Sequence, residues 1–126
     1  MDVRVLPSTM NVASLADGAL QNEPDWHFYC NLGTSYASTG DYANASRALE
    51  RAFALNPVSV DALVNLADCY GKLKAYDTRV RVLNKIVTLC PTNAQALGDL
   101  AATYELLGNK NKAEEHRGKI RKVTGQ

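Results

Sequence analysis

The chain has 126 residues, 46% of them apolar and 21% charged, with a formal net charge of +1. That composition suits one ordinary globular domain, and the near-neutral charge excludes a global pull toward nucleic acid or anionic lipid. Cys30, Cys69 and Cys90 are far apart, and only His27 and His116 accompany them. Neither a disulfide framework nor a metal site is indicated, and no cofactor is expected.

Residues 1–25 form an N-terminal segment that opens with MDVRVLPSTMNV. Asp2, Arg4 and Pro7 leave no long apolar core for a secretory signal, and no stretch of the chain approaches the roughly 20 apolar residues of a membrane span. A cytoplasmic location is expected, although a chain trimmed of a targeting segment would read the same way. Residues 8–24, STMNVASLADGALQNEP, carry Ala19, Leu20 and Pro24 in an echo of Ala52, Phe53 and Pro57. This reads as a capping helix or worn half-repeat, with Met10, Val12, Leu15 and Leu20 as its contacts, or as the edge of a longer array.

From Trp26 onward the sequence repeats itself with the step that separates Tyr29, Leu63 and Leu97. The columns Leu32/Leu66/Leu100, Gly33/Ala67/Ala101, Tyr36/Tyr70/Tyr104 and Leu55/Leu89/Val123 agree at the same offset. Three copies follow, over 26–59, 60–93 and 94–124, with 125–126 as a tail. Each copy divides into two apolar-periodic segments of about four turns, and Tyr29, Leu32, Gly33 and Tyr36 have the spacing of one helix face.

The punctuation between segments is that of antiparallel helix pairs. Gly40 and Gly108 can take the left-handed conformation that closes a first helix. Asp41 is placed to cap the second helix of copy one, and Ser59 and Asn93 to cap the first helices that follow Pro57 and Pro91. The small column Gly33/Ala67/Ala101, facing Ala45, Ala52 and Ala113, lets paired helices approach closely. The polar terminal segment NKNKAEEHRGKIRKVTGQ turns only Ala113, Ile120 and Val123 inward, and its interior Gly118 predicts fraying of the last turns.

Copy two departs from this pattern. Lys74 stands where the others have glycine, at a cost of about 1 kcal/mol if the left-handed conformation is kept. Arg79 stands where the others have Ala45 and Ala113. Either its stem lies along the seam with its head in water, or it pairs with Asp68 or Asp99 and sets the angle between copies.

These features resemble the tetratricopeptide repeat family. YCNLGTSYASTGDYANASRALERAFALNP in copy one is similar to the family consensus almost end to end, copies two and three match less fully, and the resemblance covers about residues 26 to 124. It implies an all-α fold, an α-solenoid of three antiparallel helix-turn-helix repeats with an N-terminal segment. It also implies a non-enzymatic protein-binding scaffold, an adaptor, co-chaperone or assembly factor, with first helices lining a concave groove. A structural repeat module without its own peptide ligand is the alternative.

The groove residues implied by the resemblance are His27, Cys30, Asn31, Thr34 and Ala37 from copy one. Copy two contributes Asp61, Val64, Asn65, Asp68 and Lys72, and copy three Gln95, Gly98, Asp99, Ala102 and Glu105. Asp61, Asp68, Asp99 and Glu105 against Lys72 favour a protein or peptide of basic or apolar-basic character. One subgroup of the family grips the acidic EEVD tail of chaperones with lysines, asparagines and an arginine from three first helices. Here only Asn65 matches. Cys30, Thr34, Gln95 and Asp99 replace the rest, so an EEVD-type partner is not expected.

No nucleophile with a base, metal cluster or phosphate loop stands at useful spacing. His27 and Cys30 are neighbours on one helix face, but lack an orienting third group. Arg117, Lys119, Arg121 and Lys122 form a basic run without aromatic companions for base stacking, so nucleic acid is not an expected partner. An apolar array end at Trp26 and Phe28 could pack under the N-terminal segment or make a homo-oligomer.

Overall fold

The computed structural model describes residues 24–125, and the capping helix or half-repeat expected within residues 1–23 lies outside the described residues. Among the described residues six α-helices follow one another: α1 (Trp26–Ser38), α2 (Tyr42–Leu55), α3 (Val60–Lys72), α4 (Tyr76–Leu89), α5 (Ala94–Leu106) and α6 (Lys110–Thr124). No strand occurs among the described residues. Each helix packs on its neighbours in sequence, α1 on α2 through α5 on α6, and α1 also touches α3. This is the all-α solenoid of stacked helix pairs.

The caps form as their residue types dictate. Asp25, Asp41, Ser59, Asn93 and Asn109 each accept a bond from a backbone N–H in the first turn of the helix they precede. Copy two is again the exception, since Ala75 precedes α4 and offers no side-chain cap. Gly40 and Gly108 close α1 and α5 at φ of 84° and 82°. Lys74 keeps the same left-handed turn at φ 60°, so its Cβ carries a steric cost that glycine avoids. Lys74→Gly is expected to raise the unfolding free energy by about 1 kcal/mol, read by chemical denaturation. A less stable variant would mean that the Lys74 side chain contributes more than its backbone costs.

The core is a leucine-rich seam. Leu49, Leu63, Leu66, Leu83, Ile86, Leu97 and Leu100 are all essentially inaccessible, each contributing about 2 kcal/mol of burial. Gly33 is buried against α2, where an added Cβ would lie 2.6 Å from Leu49 Cγ and 3.2 Å from the Ala45 carbonyl. The expected fraying at Gly118 is not seen. α6 continues to Thr124 and closes on Gly125 at φ 76°. Ion pairs join Arg121 to Glu114, Lys119 to Glu115 and Arg117 to Glu105 of α5, and the buried His116 of α6 packs against Tyr104 of α5 with ring centroids 5.4 Å apart.

Candidate binding face

The first helices present three openings. The first lies between α1 and α3, has a volume of about 430 Å³, and is lined by Trp26, His27, Cys30, Asn31, Thr34, Asp61, Val64 and Asn65. The second is a small apolar crevice lined by Val64, Ala67, Leu83, Ile86, Asn93, Gln95, Ala96 and Asp99. The third is lined by Asp68, Gly71, Lys72, Tyr76, Arg79 and Leu106. His27, Cys30, Asn31, Thr34, Asp61, Val64 and Asn65 are therefore brought together at one opening, Asp68 and Lys72 at another, and Val64 with Gln95 and Asp99 at the crevice between them.

Glu105 lines none of these openings. Its carboxylate pairs with Arg117 across the α5–α6 seam, so the charge count of the first helices overstates the free acid on this face. Asp99 is also engaged. It accepts from Gln95 Nε2 at 3.2 Å and lies 3.9 Å from Arg79. No ion pair involves Asp61 or Asp68 among the described residues.

Arg79 is the organising residue of the third opening. Its head is not left to water, because the side chain is only 16% exposed. Nε donates to the Ala67 carbonyl at 3.1 Å and Nη1 to Thr103 Oγ1 at 3.0 Å. One guanidinium from α4 thereby joins α3 to α5, which realises the paired alternative, with Asp99 rather than Asp68 as the acid. Gly71 makes room for it, since a Cβ there would meet Arg79 Nε at 3.1 Å. Copies one and three carry Ala37 and Glu105 at that position opposite Ala45 and Ala113. The bulky residue and the missing side chain occur in the same copy.

Electrostatics follow from this arrangement. Partial burial raises the Asp68 pKa above the ordinary carboxylate value of 3.8; Arg79 and Lys72 draw it back and Asp99 adds to the rise. The ionised carboxylate is thus under-compensated, and stability contributed by its protonated form is lost as pH rises through the raised value. A cation placed beside it would offset that loss. At the first opening burial and the nearby Asp61 charge raise the pKa of the Cys30 thiol, the reverse of what an activated thiolate requires. His27 does not engage the sulfur. Its ring stacks on Trp26 with centroids 3.9 Å apart, and Nδ1 lies 3.6 Å from Asp25.

Sequence reasoning missed Trp26, Tyr76, Arg79 and Leu106 as lining residues. Trp26 sits in the first turn of a first helix, a signal that was available. Tyr76 and Arg79 belong to a second helix, α4, which also lends Leu83 and Ile86 to the crevice.

Two tetratricopeptide repeat profiles match the chain, over residues 30–94 and 82–115, and the first alone spans more than half of it. The chain belongs to the tetratricopeptide repeat family. Among solved structures, the crystal structure of MamA superposes with a TM-score of 0.78 at 24% identity, over 90% of this chain and 66% of that one. YrrB, described as a tetratricopeptide repeat protein with an unusual peptide-binding site, gives 0.75 at 21% over 90% and 59%. The second repeat domain of Spaghetti (RPAP3), bound to the HSP90 peptide SRMEEVD, gives 0.71 at 19% over 84% and 98%. This chain thus spans less than two thirds of the MamA and YrrB chains, and the likeness is one of fold. No curated protein sequence matches it significantly. No described helix is long and apolar enough to cross a membrane.

Proposed function

We propose that this tetratricopeptide repeat chain is a protein-interaction module whose first-helix face holds an extended or helical segment of basic character. The observation that carries the reading is the pair of carboxylates, Asp61 and Asp68, left without ion pairs on a face that also offers the Asn31 and Asn65 amides and the exposed Val64. Apolar contact supplies area, the amides fix a backbone, and the acids select for charge. The family assignment supports a binding role, as do the peptide site named for YrrB and the peptide bound by RPAP3. Adaptor, co-chaperone and assembly factor are the roles such a module serves, in a cytoplasmic setting.

The acidic SRMEEVD peptide is expected not to bind. Asp61, Asp68 and Asp99 would repel it, and among the described residues the three openings hold just two cationic side chains, Lys72 and the inward-bonded Arg79. Selection from a random peptide display library tests both statements. The parent should enrich lysine- and arginine-containing sequences, and Asp61→Lys/Asp68→Lys should lose them. Asp99 is left intact in this variant because it bonds within the fold. Enrichment of acidic peptides by the parent, or the same basic set from both proteins, would contradict the reading.

A second reading is a structural repeat module of a larger chain or homo-oligomer. An exposed apolar side chain in the first described helix, Phe28 at 48% exposure, favours it. Recovery of no peptide at all from the library, with a concentration-dependent mass in sedimentation, would support it instead.

A further inference from the structure

We propose that the opening between α1 and α3 is a subsite for an arginine side chain, with the Trp26 indole and the Asp61 carboxylate as its two determinants. The proposal deepens the reading of the face as a receptor for basic segments and rests on it. The opening has a volume of about 430 Å³, ample for one long side chain. Its lining is one carboxylate, two amides, a hydroxyl, a thiol, a valine and the stacked Trp26–His27 pair.

Asp61 supplies the formal negative charge. It stands exposed in the first turn of α3 and makes no ion pair among the described residues. Apart from Asp68, the other acids of the first helices have partners: Asp99 faces Arg79 and Glu105 faces Arg117. Its field reaches into the opening, because it contributes to the raised pKa of the Cys30 thiol on the opposite helix. Among the described residues no lysine or arginine lines this opening to neutralise it.

The uncharged groups agree in sign. The Thr34 hydroxyl donates to the Cys30 carbonyl at 2.9 Å, which leaves its oxygen with lone pairs only. The Asn31 and Asn65 side chains make no hydrogen bond among the described residues, so their amide oxygens are available. His27 stacks on one face of the Trp26 indole with centroids 3.9 Å apart; the other electron-rich face attracts cations, and a guanidinium is the cation that stacks on it best. The chain already uses such a contact elsewhere, with Arg51 5.8 Å from the Tyr29 ring centroid. Val64, 39% exposed, supplies an apolar wall for the aliphatic stem. Five donors on a guanidinium can meet a carboxylate and amide oxygens together, whereas a compact ammonium has three.

Trp26 is the chain's single tryptophan, so its indole N–H resonance reports on this opening alone. N-acetyl-arginine amide and N-acetyl-citrulline amide, which share a shape and differ in charge, are titrated separately into the full chain at low ionic strength. The arginine compound should shift the indole resonance saturably and the citrulline compound should not. Asp61→Asn should weaken the arginine response about fivefold, the scale of an exposed ion pair. Equal shifts by both compounds, no shift by either, or an unchanged affinity in Asp61→Asn would overturn the proposal. The citrulline comparison uses the parent protein and does not depend on how the variant folds. If basic peptides are still selected while Trp26 stays silent, the subsite fails and the acidic face stands. If the arginine compound occupies the opening while selected peptides are not basic, the broader reading fails instead.

Discussion

Truncating Arg79 to alanine is expected to lower the unfolding free energy by about 2 kcal/mol. The guanidinium donates to the Ala67 carbonyl and Thr103 Oγ1 and lies beside Asp99, all within a seam where its side chain is 16% exposed. The loss stays well below the extreme for a broken buried ion pair because the partners are not stranded. Thr103 Oγ1 still donates to the Asp99 carbonyl at 2.6 Å, Ala67 O lies within the α3 hydrogen-bond ladder, and Asp99 keeps Gln95 and partial contact with water. Arg79→Met separates the contributions, since it keeps most of the stem and should recover the packing share of the loss.

The effect should also be directional. In a solenoid each repeat is held by its neighbours, so weakening the junction of copies two and three releases the C-terminal pair first. Amide exchange should therefore accelerate in α5 and α6 more than in α1 and α2. A thermal midpoint equal to the parent's would show that the seam is held by apolar packing alone and that the arginine is incidental.

The second large effect belongs to copy one. Gly33→Ala places a Cβ 2.6 Å from Leu49 Cγ and 3.2 Å from the Ala45 carbonyl. Alanine is the better helix former by about 1 kcal/mol, yet overpacking of this kind costs about 1–3 kcal/mol and moves α1 off α2. A net loss of about 1 kcal/mol is expected. Leu49→Ala alone should cost about 3 kcal/mol, because Leu49 is fully buried. The two changes should not add. With Leu49 gone only the 3.2 Å approach to the Ala45 carbonyl remains, so Gly33→Ala should cost less in that background, a coupling of about 1–2 kcal/mol measurable by a double-mutant cycle in urea. Strict additivity would mean that the α1–α2 spacing is not set by this contact.

The same residues show how far a sequence carries the argument. The repeat step, the helix pairs and the capping side chains were legible because each depends on residues close along the chain: Asp41, Ser59 and Asn93 cap helices that begin one residue later. Lys74 was legible as a strained turn because Gly40 and Gly108 flank it at the same repeat position. Contacts across helices were legible only as alternatives. Nothing local says whether Arg79 turns to water, to Asp68 or to Asp99. Only the packing of α3 and α5 around it decides, and Gly71 is the side of that decision visible in sequence after the fact.

The candidate face was read less evenly. Asn31, Thr34, Asp61, Val64 and Asn65 share one opening, as a rule assigning function to first helices implies. That rule cannot see partners taken from second helices, so it counted Glu105 as free when Arg117 holds it, and it overlooked Tyr76 and Arg79. Trp26 escaped for another reason. As a large apolar residue at an array end it invited a packing role, whereas its indole lines the opening beside Asp61.

The central claim is that the first-helix face is where a partner lies. The most direct measurement is a chemical-shift map of the isotope-labelled chain titrated with a basic peptide taken from the display selection. The account predicts shifts concentrated on Asn31, Val64, Asn65, Asp68 and Gln95 of α1, α3 and α5, weakening as salt is added. Shifts confined to α2, α4 and α6, or to the surroundings of Phe28 outside the openings, would contradict it.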